Sequence, residues 1–77
     1  MTINLRDTLI KALKANAEGQ LKKHHANVEI YFNNPAGIGD HSDVLQSIHN
    51  EIDAMVHWED QLKVLEKYFD DRPFVVT

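Results

Sequence analysis

Residues 33–43 read NNPAGIGDHSD, and the fold turns on how that stretch is read. It holds one of the chain's two prolines and two of its three glycines, whereas long segments on either side contain almost no helix breakers. Asn33 and Asn34 can close a helix, Pro35 prevents its continuation, and Gly37 and Gly39 supply permissive backbone. Asp40 or Ser42 can then cap a second helix, with Asp43 placed favourably in its first turn. Most of the stretch is thereby explained as a bend. Ile38, an apolar residue between two glycines, and His41, beside the cap, are left over. Ile38 is expected to plug the end of a helical bundle. Together with Asp40 and Asp43, these two residues form the candidate partner-binding surface of the turn.

Outward from the bend, both flanks read as helix. Between about residues 2 and 33, apolar positions recur at Leu5, Leu9, Leu13, Ala17, Leu21, His24 or His25, Val28 and Phe32. This is helical spacing, although steps of four drift slowly round a helix of 3.6 residues per turn, and Ile10, Ala12 and Tyr31 widen the stripe. Thr2 can serve as its N-cap. Gly19 lies inside the pattern and marks either a kink or a close backbone approach, at a cost of about 1 kcal/mol relative to alanine. The second helix is expected from about residue 42 to 70. It follows Leu45, Ile48, Ile52, Met55, Glu59, Leu62, Glu66 and Phe69, with the apolar face rotating toward Trp58 and Leu65 because Glu59 and Glu66 interrupt the stripe. Asp71-Arg72-Pro73 ends it, leaving a short tail over 71–77. VEIYF (28–32) and PFVVT (73–77) are rich in β-branched and aromatic residues, so a pair of short strands is the competing reading of those segments. The unbroken helical phase from Leu21 through Phe32 favours helix.

A chain of 77 residues forms one domain with a thin core, since a protein this small buries only about 60% of its unfolded surface. Disulfides and thiolate metal sites are excluded because there is no cysteine. Self-association is the remaining supplement. The net charge of −4 is unevenly placed: residues 1–39 carry five basic and three acidic side chains, and residues 40–77 carry three and nine. That asymmetry favours packing between oppositely charged helices, and the basic half is too interleaved with acids to indicate nucleic-acid binding. The expected architecture is all-α: a long antiparallel helical hairpin, a single domain, that dimerises into a four-helix bundle. A monomer bent at Gly19 into three helices is its competitor. The expected shared core comprises Leu9, Leu13, Leu21, Val28, Ile48, Ile52, Met55, Leu62 and Leu65.

No residue set reads as catalytic. His49, Asp53, His57 and Asp60 share a helix face and provide the alternative reading, a metal-dependent or nucleotide-processing enzyme. They lack a His-Glu-x-x-His or Glu-x-x-His arrangement, so a solvated polar face is the expectation, without metal or cofactor. The acidic residues of helix 2 lack the Glu-x-x-Glu pairs that a magnesium-dependent pyrophosphohydrolase requires. KKHH (22–25) reads as one histidine packed in the stripe and one in solvent. GIGD is followed by no Gly-Lys-Ser/Thr, and Asp40 and Asp43 would repel a phosphate at that helix end. No run approaches the length that spans a bilayer, and the N-terminus lacks a signal-peptide pattern, so a cytoplasmic location is expected.

The runs VEIYFNNPAGIGDHSDVLQSI and LKVLEKYF resemble small uncharacterised helical proteins encoded by tailed bacteriophages, including those of marine cyanobacteria. The resemblance covers about half the chain and rests on the turn. It implies a non-enzymatic phage accessory or host-modulating protein that binds another protein, located in the host cytoplasm, and it brings no catalytic residues with it.

Overall fold

The computed structural model describes residues 4–33 and 43–70. Two helices make up this part of the chain, α1 (Leu5–Asn33) and α2 (Val44–Tyr68), packed against each other as an antiparallel hairpin. The all-α hairpin expected from the sequence is therefore the fold of the described residues. Val28–Phe32 lies within α1, so the strand reading of that segment is set aside. The tail and the turn residues Ile38, Asp40 and His41 lie outside the described residues.

Local chemistry sets the helix ends, and it differs from expectation at two caps. Asn4, not Thr2, opens α1: its Oδ1 accepts the Asp7 N–H at 3.0 Å and its carbonyl accepts the Thr8 N–H at 3.1 Å. Asp43, expected inside the first turn of α2, is itself the N-cap, with its carboxylate accepting the Gln46 N–H at 3.0 Å. An aspartate in this position satisfies an orphan amide and opposes the positive end of the helix dipole. Asn33 closes α1 by donating from Nδ2 to the Glu29 carbonyl at 2.7 Å.

The contact between the helices is a seven-residue pattern on each. On α1 the seam runs Asp7, Ile10, Lys14, Ala17, Leu21, His24, Val28, Tyr31. On α2 it runs Val44, Ile48, Glu51, Met55, Trp58, Leu62, Leu65, Phe69. All but Phe69 are buried or half-buried. Alternating steps of three and four keep a stripe on one side of a helix of 3.6 residues per turn. The rotation of the α2 face toward Trp58 and Leu65 is observed, with Glu59 and Glu66 exposed. On α1, however, the expected stripe is wrong at its N-terminal end. Each step of four overshoots a full turn by about 40°. The run Leu5, Leu9, Leu13 therefore swings off the seam, and these residues are 64%, 53% and 54% exposed.

Gly19 is neither a break nor a close approach within the hairpin. The helix continues through it, and a Cβ added there meets nothing within 4 Å. Gly19→Ala is accordingly expected to stabilise the protein by about 1 kcal/mol, the propensity difference alone. Thermal denaturation followed by circular dichroism checks this, and a lowered midpoint would show that the glycine has a packing role.

Candidate functional site

Two features stand out along the hairpin. Halfway along it, Glu51 of α2 meets His24 and Asn27 of α1. The His24 Nδ1 lies 2.5 Å from the Glu51 Oε2, and the Asn27 Nδ2 donates to the Oε1 at 3.1 Å. The side chains of His24 and Glu51 are 18% and 21% exposed, so the contact is sheltered. Adjacent on the sequence, His25 points to solvent with Glu29 at 3.8 Å, which gives KKHH the split environment expected for it. Nearer the open end, Lys14 and Asp70 approach to 3.6 Å across the seam. These cross-helix polar contacts fix the stagger of α1 against α2.

The second feature is an apolar trough at the open end of the hairpin. One lobe, about 500 Å³, is lined by Leu5, Arg6, Leu9, Ile10, Leu13, Leu65 and Phe69. The other, about 430 Å³, is lined by Leu13, His57, Asp60, Gln61, Val64 and Leu65. Leu13 and Leu65 line both, so the lobes adjoin each other. The trough exists because the three leucines that leave the α1 seam rise on the same side as Val64. At its end, Tyr68 stands edge-on to Phe69 with ring centroids 6.4 Å apart, and the Lys67 ammonium lies 5.2 Å from the Tyr68 ring centre.

A separate apolar group lies on the opposite face. Val64 and Tyr68 each precede a seam residue, whereas Leu45, Ile52 and Val56 each follow one. One residue turns a helix by about 100°, so the two sets flank the seam on opposite sides. Leu45, Ile52 and Val56 are 76%, 40% and 50% exposed, and Phe32, which likewise follows a seam residue on α1, is 59% exposed.

The positions proposed from sequence distribute across these surfaces. Of the candidate shared core, Val28 is buried and Leu21, Ile48, Met55, Leu62 and Leu65 are half-buried in the seam. Leu9 and Leu13 line the trough, and Ile52 lies on the opposite face. Asp43 is committed to capping α2, while Ile38, Asp40 and His41 are outside the described residues. Among the described residues no group of three or more His, Asp or Glu side chains is arranged to hold a metal ion. Asp60 and His57 line the trough. His57 lies 3.4 Å from the Gln61 Nε2 and edge-on to Trp58, with centroids 4.7 Å apart. Sequence reading misses Glu51, His24 and Asn27 as a unit because the partners are 24 and 27 residues apart and each alone is an ordinary polar helix residue.

No described helix is long and apolar enough to cross a membrane. Comparison with protein-family models, with curated proteins and with solved structures finds no match to this chain.

Proposed function

We propose that the chain is a non-enzymatic protein-interaction module that works as a pair, two hairpins closing into a four-helix bundle that engages another protein. The observation that supports this is the distribution of apolar side chains. Among the described residues only Ala17 and Val28 are buried, while eleven large apolar residues are at least 40% exposed. Exposed apolar surface gathered into patches, rather than scattered singly, characterises association sites. A hairpin offers each helix only one partner, and a bundle offers two. The likeness of the turn to tailed-phage proteins extends the reading to an accessory or host-modulating role in the host cytoplasm.

Sedimentation equilibrium over micromolar concentrations tests the pairing. The expected result is a mass twice the 8.9 kDa of one chain. A single species of monomer mass across that range would overturn the reading.

A further inference from the structure

We infer that the second copy docks on the open-end trough with both turns at the same end of the bundle, so that each α1 lies between its own α2 and that of the partner. This rests on the paired reading above and specifies its geometry. Two hairpins stacked face to face have two symmetric arrangements. With turns at opposite ends, α1 lies on α1 and α2 on α2. With turns at the same end, each α1 lies on the partner's α2.

Two independent observations select the second. Among the described residues, the trough face carries its exposed large apolar side chains mainly at one end: Leu5, Leu9, Leu13, Val64 and Tyr68 lie at the open end, against Ile30 near the turn. Full stacking with turns opposed would lay Val64 and Tyr68 over the turn end of the other copy's α2, at Gln46 and Asn50, hydrogen-bonded to each other at 2.9 Å, and would leave the three leucines only Ile30 to meet on the turn end of its α1. Stacking with turns together brings the leucines of one copy to the end of the other where Val64 and Tyr68 are exposed, apolar on apolar. Charge points the same way. The α1 helix carries five basic and three acidic side chains, and α2 carries two and five. Same-end stacking gives every helix two antiparallel neighbours of opposite sign, whereas opposed stacking sets like against like. The face with Leu45, Ile52 and Val56 stays on the outside of this bundle.

The absence of cysteine makes the arrangement directly measurable, because Asn33→Cys provides one attachment point at the turn end of α1. Spin labels there are expected within about 25 Å of each other by pulsed electron resonance, the width of a two-layer bundle. Opposed hairpins would separate them by roughly a helix length, about 40 Å, and that distance in a sample of dimer mass overturns the inference while leaving the pairing intact. A monomer mass would instead overturn the pairing itself, and the inference with it. Leu9→Ser is expected to raise the dimer dissociation constant about tenfold or more, and Ile52→Ser to change it less than about threefold. Both positions are exposed in the hairpin, so helicity should be kept. The reverse ranking would place the interface on the other face and overturn the inference.

Discussion

Replacing Ala17 with leucine is expected to destabilise the hairpin by about 2 kcal/mol, a loss that few single substitutions in so thin a protein should match. Ala17 has no exposed surface, and it is one of the two buried residues among those described. It sits at the middle of the α1 seam, where its small side chain lets the two helices approach. Three added carbons have nowhere to go unless the helices separate, and separation costs the contacts of Leu21 and Met55 as well. Overpacking of this kind typically costs about 1–3 kcal/mol. For a small domain, that is a large part of its total stability. Denaturant titration followed by circular dichroism measures it. Ala15→Leu, on the exposed side of the same helix, supplies the comparison and should stay within about 0.5 kcal/mol of the parent. Equal stability of the two variants would mean that the seam is loose at Ala17.

Glu51→Ala is expected to cost a similar amount, about 2 kcal/mol, for a different reason. The substitution leaves His24 and Asn27 half-buried without the carboxylate that both engage. Hydrogen bonds to a charged group contribute about 1.5–3 kcal/mol, and abandoned partners bear a desolvation penalty. Glu51→Leu separates stability from specificity. An apolar residue at a seam position is expected to recover most of the lost stability and to blur the register, because a polar seam residue fixes alignment at some cost in strength. The expected outcome is a variant that melts near the parent temperature yet shows several oligomeric species by native mass spectrometry. A single, parent-like species would deny the Glu51 contact a role in alignment.

The hairpin is legible in the sequence because its strongest signals are local. Pro35 and two glycines between breaker-free segments demand a bend, and the 3-4 alternation through Met55, Trp58 and Leu65 reports a packed helix face without reference to anything distant. The seam of α1 is less legible. Its polar members Asp7 and Lys14 look like surface residues, and Leu5, Leu9 and Leu13 look like core. Only the phase imposed by the partner helix reverses the assignment. Both N-caps fall one to three residues from their expected positions, since Thr2, Asn4, Asp40, Ser42 and Asp43 are all residue types competent to cap and the choice depends on where the packed phase begins. The Glu51 contact is invisible for the reason that makes it informative: its three members come together only when the stagger of the helices is set. The trough follows from the same leucine drift, which a count of apolar residues treats as additional core.

The drift of those leucines also changes what stability means for this protein. A single layer of two helices has almost no interior, so a lone chain holds little of its folding free energy within itself. On the proposed pairing, a second copy covering the trough is a component of the folded state, and mass action is expected to tie the melting temperature to concentration. Under that pairing, expression level alone is expected to set the lifetime of the chain, dilute copies being exposed to proteolysis and abundant ones sheltering each other.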